Sequence, residues 1–131
     1  MKWELDNNSP LYLQIAEKIK LEIISGTFAP GCKIDSVRDF AEKINVNPNT
    51  MQRALSKLED EGLLLTNRTS GKYVTEDIQM IAKIKHELAK EYINSFLANM
   101  EQAGFSKEEI LILFESEVGK GGIVNVYTGV Q

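Results

Sequence analysis

Four polar residues within one short stretch, Asn49, Thr50, Gln52 and Arg53, carry side chains able to read or grip a nucleic acid. Projected on a helix at about 100° per residue, Asn49, Gln52, Arg53 and Ser56 share one side, and Met51, Ala54, Leu55 and Leu58 share the opposite one. An amide such as Gln52 pairs two hydrogen bonds to adenine, a guanidinium such as Arg53 pairs two to guanine or grips a phosphate, and a hydroxyl near a helix N-terminus, as in Thr50, suits a phosphate oxygen. Arg38 stands at the start of a preceding helix, and Arg68 and Lys72 flank Gly71 in a basic hairpin tip, where phosphate or groove contacts are also chemically apt. Catalytic chemistry has no comparable support. The sequence has no nucleophile elbow, no phosphate loop and no metal-spaced cluster, since it holds one histidine, His86, and one cysteine, Cys32. Adjacent carboxylates such as Glu108-Glu109 and Asp60-Glu61 read as helix-terminal or solvated charges. The sequence therefore predicts a protein that is not an enzyme and calls for no cofactor and no metal.

The polar side of an arbitrary amphipathic helix is usually just solvated, so the neighbouring elements decide the reading. Ser9-Pro10 predicts a helix start, with Ser9 as N-cap and Pro10 at the first helical position. Leu11, Ile15, Ile19 and Ile23 then recur every four residues until Gly26. Ser36 and Asp39 form a capping-box-like start for a short helix striped by Val37, Phe40, Ala41 and Ile44. Asn45-Val46-Asn47 interrupts the pattern, and Asn47-Pro48 opens the next helix, running to about Glu61. Two helices joined by about four residues make a helix-turn-helix. Gly62 stops the second helix, and Leu63 to Val74 reads as strand, turn and strand. Helix, helix, recognition-type helix and hairpin in that order predict a mainly α fold with a small β-hairpin, a winged helix-turn-helix domain over residues 1–76.

Beyond it, Ile81, Ile84, Leu88, Tyr92 and Phe96 recur at three-four spacing and predict one long helix from about Asp77 to Glu101. Gly104 ends it, and Ser106 with Glu109 opens a shorter helix bearing Ile110, Leu111, Leu113 and Phe114. Two such helices cannot bury their apolar surface as a free-standing core of about 45 residues. They need another surface, which Ile81, Ile84, Leu88, Tyr92, Phe96, Ile110 and Phe114 of residues 77–118 are placed to meet. The remaining residues, 119–131, lack an evident partner strand and are expected to form a flexible tail.

The chain has 131 residues, 43% hydrophobic and 26% charged, with 15 basic against 19 acidic side chains and a net charge of −4. This balance excludes a general nucleic-acid coat or a binder of anionic membranes, though not a local basic patch. No apolar run reaches the roughly 18 residues of a membrane span, and Met1-Lys2-Trp3-Glu4-Leu5-Asp6 lacks the pattern of a signal peptide, so a cytoplasmic protein is expected.

With these residues assembled, the chain resembles the GntR family of bacterial transcription regulators, and its short C-terminal part is similar to the YtrA subfamily. The resemblance rests on Pro10-Leu11-Tyr12-Leu13-Gln14-Ile15, Gly26 to Gly31, Ser36-Val37-Arg38-Asp39-Phe40-Ala41, Val46 to Leu55, Leu58-Glu59, Glu61-Gly62-Leu63, and Gly71 ahead of Val74. By motif position it implies DNA contacts at Arg38, Thr50, Gln52 and Gly71, to which helix geometry adds Ser36, Asn49 and Arg53. It further implies that residues 77–118 are a two-helix dimerisation module, with which the reading of Ile81 to Phe114 agrees, and that the chain is a homodimeric regulator, a repressor in expectation, binding double-stranded DNA at a short inverted-repeat operator. A small-molecule effector is compatible with such a module but not indicated by its residues. One departure stands out: Ile34-Asp35-Ser36 replaces the usual Leu-Pro-Ser. An aspartate there would repel phosphate unless it serves as a helix-terminal carboxylate. Together with the net acidity it leaves one alternative, a winged domain that docks a protein instead of DNA.

Overall fold

A computed structural model describes residues 3–120 of the chain. The elements are α1 (Leu11–Ile24), α2 (Val37–Ile44), α3 (Pro48–Asp60), β1 (Leu64–Asn67), β2 (Gly71–Val74), α4 (Ile78–Gln102) and α5 (Lys107–Lys120). The described residues fall into two compact units that divide between His86 and Glu87, inside α4 and beyond the boundary expected at residue 76. The physical reason lies in the first turns of α4, which belong with the winged unit: Ile81 is buried, and a Cβ added at Gly62 would meet the Met80 sulfur at 3.6 Å.

In the first unit, α3 packs on α1, α2 and β1. The spacing-four residues Ile15, Ile19 and Ile23 of α1 meet Met51, Ala54, Leu55 and Leu58 of α3, all essentially inaccessible to solvent, with Phe40, Leu63, Leu64 and Val74 completing the core. Leu11, which opens the α1 stripe in the sequence, is instead exposed. Phe40 is the aromatic hub, its ring centroid 5.8 Å from Trp3 and 6.4 Å from Phe28.

Each helix start has a local cause. Ser36 accepts the Asp39 amide at 3.2 Å and caps α2; Asn47 accepts the Asn49 amide at 2.7 Å and caps α3, with Pro48 at the first position. Asn45 closes α2 in the left-handed region at φ 59°, a conformation that Asn tolerates and most residues avoid. At α1 the expectation is corrected. Pro10, extended at ψ 137°, is the N-cap and no side chain caps the helix. The entry is fixed from inside, because the Gln14 side-chain amide donates to the Ser9 and Asp6 carbonyls at 2.7 and 2.8 Å and accepts the Asp6 amide at 2.9 Å.

The strands β1 and β2 pair antiparallel in the register Leu64 with Val74 to Asn67 with Gly71. A third segment, for which the sequence reading names no element, lies along the other edge of β2: Lys33 bridges Tyr73, the Ile34 amide donates to the Lys72 carbonyl, and the Val74 amide donates to that of Cys32. It alternates faces as an extended segment must, with Ile34 buried and Lys33 exposed.

In the second unit, Gly104 (φ 95°) ends α4, and Ser106 and Glu109 make the reciprocal capping box that starts α5, at 2.8 and 3.2 Å. Those bonds hold the Glu109 carboxyl below its ordinary range. Phe96 and Phe114 meet at 6.0 Å between centroids, and Ile110 is buried. Helix α5 continues through Gly119 and Lys120, two residues into the expected tail; residues 121–131 of that tail lie outside the described residues.

Candidate nucleic-acid interface

The buried side of α3 dictates what its other side presents. With Met51, Ala54, Leu55 and Leu58 inside, Asn49, Gln52 and Arg53 are exposed and Thr50 is half-buried near the helix start. Gln52 donates to the Ser56 hydroxyl at 2.9 Å, which holds the amide along the helix. Arg53 lies on the ring of Tyr12 in α1, its guanidinium carbon 3.8 Å from the ring centroid. This cation–π stack fixes the position of the guanidinium, and its planar donors stay available at the edge.

Ser36 and Arg38 sit at the start of α2, both exposed; the Ser36 oxygen is engaged by the Asp39 amide. Gly71 opens β2 at φ 118°, a conformation L side chains rarely adopt, which accounts for glycine at the wing. A cleft of about 610 Å³ lies between this wing and the start of α2, with Lys33, Ser36, Arg68 and Gly71 on its walls. The structure thus brings Ser36 and Gly71 to one cleft, while Asn49, Gln52 and Arg53 share the exposed face of α3.

Two charges behave differently from expectation. Asp35 neither caps α2 nor stands alone, for Lys43 Nζ pairs with it at 2.6 Å, and that partner holds the lysine above its ordinary range. Its charge is thereby offset locally. Lys72, placed by the sequence at the wing tip, turns instead toward α3, where its Nζ lies 2.5 Å from Glu59 Oε1 and 3.0 Å from Thr66 Oγ1. Thr66 donates to the other Glu59 oxygen. Burial pushes the Glu59 carboxyl up, but the bonds from Lys72 and Thr66 outweigh it and hold the group below its ordinary value.

Sequence reasoning missed two residues here, Tyr12 and Lys33. Alternation in Cys32-Lys33-Ile34 was the available signal for the second; for Tyr12 only the packing of α1 on α3 reveals the role. Of the expected dimer contacts, Ile81 and Ile110 are buried within the chain, Ile84 and Leu88 are half-buried, and Tyr92, Phe96 and Phe114 are exposed. Among the described residues no group of His, Cys, Asp and Glu could hold a metal ion, and no helix is long and apolar enough to cross a membrane. Cys32 is a half-buried free thiol.

Residues 11–74 match the family model described as bacterial regulatory proteins, gntR family. The HTH-type transcriptional regulator YhcF of Bacillus subtilis (strain 168) is 35% identical, covering 82% of this chain and 89% of its own length. The HTH-type transcriptional repressor YtrA of the same organism is 32% identical, covering 79% and 81%. A GntR family transcriptional regulator from Listeria monocytogenes superposes with a TM-score of 0.81 at 38% identity, over 86% of this chain and 98% of that one. The DNA-binding domain of AraR in complex with operator ORX1 superposes at 0.52 with 25% identity, over 57% of this chain and 95% of that one. A winged helix-turn-helix matched in sequence and in backbone makes the chain a transcriptional regulator with a GntR-type DNA-binding domain, and it belongs to the gntR family of bacterial regulatory proteins.

Proposed function

We propose that the chain is a sequence-specific repressor that binds a short inverted-repeat operator as a homodimer. The observation that carries this reading is the α3 face, where Asn49, Gln52 and Arg53 stand exposed directly opposite a fully buried apolar side. A helix of this kind fits the major groove and reads base edges with paired donors and acceptors. In this reading Gln52, Asn49 and Arg53 meet bases or the flanking phosphate, while Ser36, Arg38, Thr50 and Gly71 hold the backbone and groove edge. Repression is supported by YtrA, a repressor of similar length. AraR, whose DNA-binding domain is bound to operator, supports an operator as the partner.

The winged unit together with the first turns of α4, up to His86, serves as the DNA-binding domain, and the rest of α4 with α5 as the dimerisation module. Support for the second role comes from large apolar side chains left exposed in the single chain, among them Tyr92, Phe96, Leu111, Ile112 and Phe114. Exposed groups of that size mark an association surface. A two-fold dimer would set its half-sites about one helical turn apart. The pairing of Asp35 with Lys43 offsets one of the two features behind the protein-docking alternative, the other being the net charge of −4.

Selection from random duplex DNA at near-physiological salt, with light scattering for mass, tests the proposal. An enriched inverted repeat bound by a dimer is expected, with affinity falling about 10³-fold or more between 50 and 200 mM salt. A monomer, or a dimer that enriches no sequence, overturns it.

A further inference from the structure

Two lysines flank the wing glycine, Lys72 in sequence and Lys33 in space, and their surroundings assign them opposite tasks. We propose that Lys33, which lies ahead of the helix-turn-helix, is a second cation that the wing delivers to DNA phosphate beside Arg68, and that Lys72 is an internal strut. The inference rests on the DNA-binding reading above and adds a contact to it.

Lys72 is already spent inside the protein. Its side chain is 15% exposed and that of Glu59 27%, with a hydrogen-bonded pair between them and Thr66 closing the triangle. Drawing Lys72 out to a phosphate would leave a partly buried carboxylate without its partner, an expensive rearrangement. The triangle joins α3 to both strands and so fixes the wing against the recognition helix.

Lys33 has the reverse properties. It is exposed, and among the described residues it takes part in no ion pair. Its backbone is registered against Tyr73 of β2, which carries it with the wing. Its side chain crosses the open face of Gly71: a Cβ on that glycine would sit 3.2 Å from Lys33 Cε and 3.9 Å from Nζ. The glycine therefore leaves a channel along which the lysine reaches the wing edge. Both residues line the cleft that also holds Ser36 and Arg68. Of the two carboxylates on the same walls, Asp35 is paired with Lys43, leaving Asp39 in the first turn of α2.

A direct phosphate contact releases counterions, so its removal changes the salt dependence of binding, whereas loss of a strut changes affinity without changing the slope. The test measures wild type, Lys33→Ala, Lys33→Arg and Lys72→Met on the selected operator duplex from 50 to 200 mM salt. Lys33→Ala should flatten the slope of log K against log salt by about 0.9 per protomer, and weaken binding about 5-fold per protomer at 0.15 M salt. Random duplex should lose affinity in proportion, and Lys33→Arg should restore the slope. Lys72→Met should keep the wild-type slope while lowering the melting temperature. An unchanged slope in Lys33→Ala overturns the proposal, as does a slope in Lys72→Met that flattens equally. Lys33 is exposed, so its variants remain folded and decide the matter even if Lys72→Met does not. Failure of the wild type to select any operator would instead count against the DNA-binding reading itself, which separates the two.

Discussion

Tyr12→Ala should weaken operator binding although Tyr12 lies on α1, outside the recognition helix. In the free protein the Arg53 guanidinium carbon rests 3.8 Å above the Tyr12 ring. Ordering a long arginine side chain before DNA arrives lowers the entropy lost on binding, and an exposed cation–π stack of this kind contributes about 0.5–1 kcal/mol. That range corresponds to about 2–5-fold in affinity per half-site, or about 5–30-fold for two half-sites. Tyr12→Phe retains the ring and should stay within about 2-fold of wild type. Fluorescence anisotropy on the operator duplex measures both, with thermal melts to verify that each variant is folded at the assay temperature. The double variant Tyr12→Ala with Arg53→Ala should bind no worse than Arg53→Ala alone, since the ring acts through the guanidinium. Unchanged affinity in Tyr12→Ala, or full additivity in the double variant, refutes this reasoning. Tighter binding would show that the stack holds Arg53 back from DNA.

Gly71→Ala forces an L side chain to φ 118° and pushes on Lys33 Cε; a cost of about 1–3 kcal/mol is expected, read as a lower urea midpoint, and an unchanged midpoint would contradict the wing geometry. Leu55→Ala removes a fully buried side chain from the centre of α3. It should destabilise the protein by about 2–5 kcal/mol in urea unfolding, and a loss below about 1 kcal/mol would mean α3 is not packed as described. Because Glu59 titrates below its ordinary value of 4.5, it contributes stability that is complete above that value and disappears as pH falls through the lower folded value. Glu59→Gln should therefore lose part of the stability at neutral pH and show a shallower acid dependence below about pH 5; equal acid dependence in the two proteins would exclude the Lys72–Glu59–Thr66 triangle.

The helices were legible because local rules and burial agree. Spacing-four isoleucines in α1, the Ser36 and Asn47 caps, Pro48 at the first turn and the Ser106–Glu109 box each specify a boundary within a few residues of chain. The exposed face of α3 followed directly from its buried face, since on a helix one fixes the other. Where a boundary depended on competing local choices, as at Ser9-Pro10, the side chain of Gln14 four residues after Pro10 settled it.

Amino-acid sequence alone determined that this chain builds a winged helix-turn-helix with a polar recognition face, because periodicity, capping and glycine placement act over short distances. Tertiary structure decided which charges on that surface are free. Lys43 and Asp35 are eight residues apart, Lys72 and Glu59 thirteen, and Arg53 meets Tyr12 across a helix interface. Lys33 reaches the wing only because the segment before α2 pairs with β2. A charge is available to DNA only if no nearer partner claims it, and nearness between side chains far apart in the chain is set by packing, which no local pattern encodes.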